Sequence, residues 1–230
     1  MQQELFNFGL EDRIRQVRDR LSQAFGETAY ATSRDPISTL VKSIISSRTR
    51  DEVSLQAFNT LARIFPAWDD LAVARPADIE SAIADVTHAG TKAVQVQQAL
   101  AHVATRFPDY DLASLADEPM DVALAWLRSL PGAGPKVAAA VMNFSSLKRQ
   151  AFVMDTHVLR VFRRFGLIGG KTSDRKAYDL VMSVLADWPA EQLSSLHILV
   201  KRLGQLFCHA GRADCRLCPL RDHCLSTARV

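Results

Sequence analysis

The sequence predicts an all-α protein, and three observations carry that expectation. Apolar residues recur at spacings of three and four along most of the chain. No stretch alternates apolar and polar residues beside a hairpin turn. The connections between periodic segments are short. Residues 11–25, EDRIRQVRDRLSQAF, carry Ile14, Val17, Leu21 and Phe25 on one helical face. Residues 36–47 repeat the pattern with Ile37, Leu40, Val41, Ile44 and Ile45, and open on Asp35-Pro36, a helix-start pair. Further helices are predicted over 51–64, 77–85, 91–106, 120–129, 135–146, 155–165, 173–187 and 190–207. The apolar run AFVM at 151–154 is too short to found a sheet.

A chain of 230 residues that is 48% apolar can bury one large core or two small ones. No window approaches the roughly 18 consecutive apolar residues of a membrane-spanning helix. The N-terminal MQQELFNFGLEDRIRQ lacks the basic start and apolar block of a secretory signal. The expected location is therefore cytoplasmic, nucleoid-associated in a bacterial-type cell. Net charge is only +3, but it is unevenly placed. Residues 1–135 hold 13 Lys and Arg against 18 Asp and Glu, a net of −5; residues 136–230 hold 15 against 7, a net of +8. A basic half points to a polyanion partner, most commonly nucleic acid.

All four cysteines fall in CHAGRADCRLCPLRDHC, spaced C-x6-C-x2-C-x5-C at Cys208, Cys215, Cys218 and Cys224. Thiols this close read as a metal site. A chain with its own core in a reducing compartment needs no disulfides. Zinc sites usually present two short knuckles, and only Cys215 and Cys218 form one here, so the spacing favours an iron–sulfur cluster over zinc. His209 and His223 flank cysteines and are expected to point outward.

Residues 130–144, LPGAGPKVAAAVMNF, place a lysine at the mouth of an otherwise small and apolar helix. Pro131-Gly132-Ala133-Gly134 reads as a tight turn and Pro135 as the first helical residue. Val137, Ala140, Val141 and Phe144 are the expected buried face. Upstream, Val122, Ala125, Trp126 and Leu130 mark a second amphipathic helix, so the whole is helix, glycine hairpin, helix. Backbone N–H groups of Gly132, Gly134 and the helix start can hold a phosphate. Lys136 sits against the helix dipole, which favours its neutral, nucleophilic amine; a phosphate contact is the simpler alternative. Nineteen residues on, Asp155 opens a helix in VMDTH, either as an N-cap or as a carboxylate stabilising positive charge on a sugar.

LPGAGPKVA, VMDTHVLRV and C-x6-C-x2-C-x5-C, in this order from about residue 30 to 224, resemble the endonuclease III branch of the helix-hairpin-helix DNA glycosylases. The resemblance implies a two-lobed all-α fold. Residues 29–150 would form a six-helix lobe containing the helix-hairpin-helix motif. Residues 1–28 and 151–230 would form an iron–sulfur cluster lobe, with the four cysteines holding a [4Fe–4S] cluster. It implies a monomer that bends double-stranded DNA between the lobes and flips out a damaged base, with an oxidised pyrimidine the expected lesion. Lys136 matches the family's nucleophile, whose amine attacks C1′, displaces the base and cuts the abasic strand by β-elimination. Asp155 matches its catalytic aspartate. Arg212 lies in a cysteine loop that contacts the DNA backbone in the family, and His157 follows the aspartate near the flipped-out site.

Two segments depart from that pattern. Where the family commonly carries a glutamine that fills the hole left by the flipped base, ISSRTRD places Arg48. Where it carries a bulky apolar wedge after a glycine, THAGTKA places His88 after Thr87. A polar, cationic gap-filling pair implies different contacts to the opposite base. Three alternatives remain at this level: a glycosylase of the same fold for uracil or for a mismatched, alkylated or deaminated base; a non-catalytic iron–sulfur DNA-binding protein; and a cluster-bearing redox sensor. The last leaves the glycine hairpin and the basic half unexplained.

Overall fold

Helical stripes of apolar residues organise both halves of the chain. The computed structural model describes residues 2–28 and 34–226. Among them are eleven α-helices and two short 3-10 turns, with no strand beyond an isolated bridge between Arg34 and Ser145. The chain divides into two compact units, Thr32–Arg149 and Met1–Ala31 with Gln150–Val230. The lobe boundary expected at residue 29 lies outside the described residues. None of the described helices is long and apolar enough to cross a membrane.

The Thr32–Arg149 unit, here the hairpin unit, holds seven α-helices. Helix α2 (α1 belongs to the other unit) spans Pro36–Ile45; Asp35 caps it, its carboxylate accepting from Ser38 N. Helices α3 (Asp51–Ile64), α4 (Trp68–Val73), α5 (Pro76–Ala82), α6 (Ala89–Arg106), α7 (Met120–Ser129) and α8 (Pro135–Phe144) follow. Helix α4 was not expected: it has six residues and buries only Leu71, too little for a periodic signal. The expected ends of α2, α5 and α8 run two or three residues past the observed ones.

Helix α8 is the centre of this unit. Every residue from 137 to 143 is buried, with the Ala138–Ala140 run letting neighbours approach closely. Helix α2 packs along it with Leu40, Val41, Ile44 and Ile45 buried. The expected face of α7 is corrected. Ala123, Leu124 and Leu127 are buried, whereas Val122 is 48% exposed and Ala125 is also exposed. VALAWL is apolar on two adjacent stripes, so periodicity could not choose between them. Trp126 is half-buried, edge-on to Phe107 with ring centroids 5.1 Å apart, and Arg106 lies over both rings.

One charge sits inside the hairpin unit. Lys92 on α6 is 4% exposed, in a stripe with Ala93, Val96, Ala99, Leu100 and Val103. Its Nζ donates to Ile45 O at 2.9 Å, to Ser47 O and to Thr49 Oγ1 at 3.1 Å. An ammonium has three donors, and all are used. Its placement at the carboxyl end of α2 also suits the negative end of that helix dipole.

The second unit, here the cysteine unit, contains α1 (Gln2–Phe25), α9 (Thr156–Phe165), α10 (Asp174–Val184) and α11 (Ala190–Leu206). Leu10, Ile14, Val17 and Leu21 bury one face of α1 against α10 and α11. Phe152 and Phe162, both fully buried, stack at 5.9 Å. Each such side chain contributes about 1.5–3 kcal/mol on leaving water. Residues 151–154 lead into α9 without regular secondary structure, and all four are buried. His197 of α11 anchors them, its Nδ1 lying 2.7 Å from Val153 O, which can only accept.

Lys92 generates a pH prediction. Burial, and then the nearby charge of Lys136, lower its pKa from 10.5 to about 8. Between those values the unfolded chain binds more protons than the folded one, so this residue's contribution to stability rises with pH across that window. In urea unfolding, the wild-type chain should gain stability relative to Lys92→Met between pH 8 and pH 10.5.

Candidate active site

The hairpin joins α7 to α8. Ala133 N donates to Leu130 O at 3.0 Å, closing the turn. Gly132 has φ 77° in the left-handed region, and a Cβ there would meet Gln95 Cβ at 3.0 Å and Ile44 Cγ2 at 3.1 Å. Both backbone and space therefore demand glycine at 132. Gly134 is different: its φ of −74° suits any residue, and a Cβ would meet nothing within 4 Å. The expectation that both glycines are needed for the turn holds for Gly132 alone. Gly134 is the N-cap of α8 and supplies no side-chain hydrogen bond. It leaves an exposed helix mouth whose first N–H groups have no intrahelical acceptors.

Lys136 is the second residue of α8, half-buried where the helix body becomes fully buried. Its positive charge reaches Lys92. The amine is therefore presented at the open end of a helix, where the sequence expects either a nucleophile or a phosphate contact.

Arg48 and His88 are both exposed, and both lie in the left-handed region, at φ 55° and 59°. That conformation is uncommon for residues with a Cβ and persists only where the surroundings hold it. His88 is the N-cap of α6. The segments carrying the two residues are tied together, because Thr87 N donates to Thr49 Oγ1 at 3.2 Å. Thr49 also accepts from Lys92. Neither Thr49 nor Lys92 was singled out from the sequence. A readable signal existed for Lys92, a charge inside the otherwise apolar stripe of α6.

In the cysteine unit, Asp155 is the N-cap of α9, its Oδ1 accepting from His157 N and Val158 N at 2.9 Å each. Oδ2 takes no part in the cap. Capping thus uses one oxygen of a half-buried carboxylate and does not exclude a second role. His157 packs on Gly204 so closely that a Cβ there would stand 2.8 Å from His157 Cβ. Arg160 Nη2 lies 2.9 Å from His157 Nδ1. A guanidinium only donates, so Nδ1 accepts and the neutral ring carries its proton on Nε2.

The same arginine donates to Cys208 O at 2.7 Å and Gly204 O at 3.0 Å. One turn on, Arg164 donates to Cys208 Sγ at 3.4 Å and to the carbonyls of His209 and Ala210. Cys224 Sγ and Ser226 Oγ both donate to Arg164 O. Helix α9 thus joins the aspartate cap to both ends of the cysteine segment. None of the four cysteines is in a disulfide and all are half-buried, with Cys208, Cys218 and Cys224 packed against the core of the unit. Burial raises the Cys218 thiol pKa, and Cys208, Cys224 and Cys215 push it further, which puts the other three within electrostatic reach of Cys218. Among the described residues no three His, Cys, Asp or Glu side chains form a group placed to hold a metal ion. His209, His223 and Arg212 are exposed.

Residues 41–187 match the HhH-GPD superfamily of base excision DNA repair proteins. The chain is 26% identical over 219 residues to endonuclease III of Thermotoga maritima, covering 94% of this chain and 92% of that one. Its fold superposes on an endonuclease III solved in a non-covalent DNA complex with a TM-score of 0.79, at 23% identity and covering 95% and 97% of the two chains. It superposes on a thermostable thymine-DNA glycosylase at 0.76, at 15% identity and covering 97% and 99%. Matched over most of its length and carrying a glycine hairpin that opens onto a helix buried from residue 137 to 143, the chain belongs to the HhH-GPD superfamily of base excision DNA repair proteins as an endonuclease III-like DNA glycosylase.

Proposed function

We propose that this enzyme removes damaged bases, oxidised pyrimidines foremost, from double-stranded DNA and then cuts the abasic strand by β-elimination, acting as a monomer in the cytoplasm on nucleoid DNA. The observation that carries the reading is Lys136 itself: an amine in the first turn of a helix with a buried body, beside a second cation and behind a cap without a side chain. The neutral amine attacks C1′ of the flipped nucleotide, forming a C–N bond as the base leaves with its bonding electrons. The sugar ring opens to a Schiff base, which acidifies the 2′ hydrogen. Loss of that proton expels the 3′ phosphate, and hydrolysis of the Schiff base frees the lysine.

Asp155 supplies the negative charge opposite the developing oxocarbenium-like sugar, with Oδ1 held by the cap and Oδ2 available to the sugar. Gly132 makes the turn and Gly134 leaves the helix mouth beside it open to a phosphate. Arg212 contacts the DNA backbone, and His157 lies near the flipped-out nucleotide with Nε2–H as its remaining donor. Arg48 and His88 occupy the space vacated by the extruded base.

Cys208, Cys215, Cys218 and Cys224 are the proposed ligands of a [4Fe–4S] cluster. Their spacing, and the electrostatic contact of Cys218 with the other three, support a cubane, in which each thiolate would bind a separate iron. Arg164 against Cys208 Sγ suits a thiolate at that position. When bound, such a cluster would tie the C-terminal segment to itself and shape the surface around Arg212, while Arg160 and Arg164 hold that segment to α9.

Three outcomes test this reading. Lys136→Gln should abolish borohydride trapping on abasic duplex; trapping that persists removes Lys136 as the nucleophile. Asp155→Asn keeps an equally good cap, so its unfolding midpoint should stay near wild type while single-turnover base excision falls by about a hundredfold or more. Asp155→Ala should lose the activity and about 1 kcal/mol of stability as well. The purified chain should be brown and contain iron and inorganic sulfide in equal amounts, and Cys215→Ala should lose both; a colourless, zinc-loaded wild type would refute the cluster.

A further inference from the structure

Lys92 has no proposed contact with the DNA, yet it touches both departures from the family pattern. Its ammonium binds Ser47 O and Thr49 Oγ1, the residues on either side of Arg48. Its backbone N–H donates to His88 O at 3.1 Å. Thr49 Oγ1 accepts from Lys92 Nζ and from Thr87 N, and donates to Ser47 O at 3.3 Å. Arg48 and His88 are thus two left-handed residues whose immediate neighbours are fixed to one buried cation and one hydroxyl. The third acceptor, Ile45 O, ends α2 one residue beyond Ile44, on which Gly132 of the hairpin sits.

Resting on the glycosylase reading, we propose that Lys92 is a positioning residue: it clamps the loop of Arg48 to the turn of His88 and so sets how the enzyme discriminates the base opposite the lesion. The loop needs such a clamp because two left-handed non-glycine residues favour relaxation wherever their neighbours are released. A methionine at 92 fills similar space with no donors. A valine at 49 keeps the volume of threonine and removes the oxygen that joins the two segments.

The test has two independent readouts. Amide hydrogen exchange is measured over 46–50 and 85–88 in wild type, Lys92→Met and Thr49→Val. Single-turnover cleavage is measured on abasic duplexes with each of the four bases opposite the site. The clamp requires faster exchange in both segments together. It also requires the spread among the four cleavage rates to narrow by about tenfold, the loss expected when charge-assisted hydrogen bonds holding the loop are removed. Combining Lys92→Met with Arg48→Ala should then change the spread no further than Arg48→Ala alone. Unchanged exchange in either segment overturns the clamp. So does a uniform fall of all four rates with the spread preserved, which would make Lys92 a buttress for the fold alone. Absence of Lys136-dependent trapping in the otherwise wild-type chain would instead refute the enzyme reading, and the exchange result would still decide the clamp.

Discussion

The burial of α8 is the constraint on which the hairpin unit depends. A helix enclosed from residue 137 to 143 can offer reactive groups only at its ends, and its N-terminal end is the one the glycine turn leaves open. Small residues let α2 lie close along it, and that contact demands Gly132, since a Cβ there would strike Ile44. Packing therefore fixes where Lys136 begins. The amine sits on a rigid base with a positive helix end behind it and a second cation near it. In the proposed reaction, rigid support of this kind would hold the nucleophile in position for attack.

The cysteine unit repeats this economy with one helix. Asp155 starts α9, and Arg160 and Arg164 on successive turns bind the two ends of the cysteine segment. The buried stretch at 151–154, held by His197, delivers the aspartate to its cap. A disturbance of the cysteines would thus reach the aspartate through one element. Gly204 belongs to the same arrangement, because only the absence of a side chain lets His157 rest against α11.

Lys92 shows how a single buried charge can be stable without a carboxylate partner. Three oxygen acceptors and a helix carboxyl end replace its hydration, while burial and Lys136 still lower its affinity for a proton. Two exposed residues in an uncommon backbone conformation depend on the same group, so a loop that meets solvent is ordered from inside the core. The Arg48 and His88 segments are far apart in sequence and adjacent in space only because α2 and α6 pack together.

By itself the sequence determined the helical class, most helix positions, the grouping of the four cysteines, the open glycine turn and the helix starts at Lys136 and Asp155. Those features are local, set by periodicity, proline and glycine stereochemistry and capping, which act over a few residues. Tertiary structure decided the rest. It selected between two apolar stripes on α7, made a helix of Trp68–Val73 and separated the glycine that the turn needs from the one that keeps the helix mouth open. It also placed Lys92 beneath Arg48 and His88 and aligned Arg160 and Arg164 with the cysteine segment. These outcomes depend on which distant carbonyl, methyl or ring occupies a given ångström of space. No short-range pattern encodes that, because burial and hydrogen-bond satisfaction are settled only when separate helices pack together.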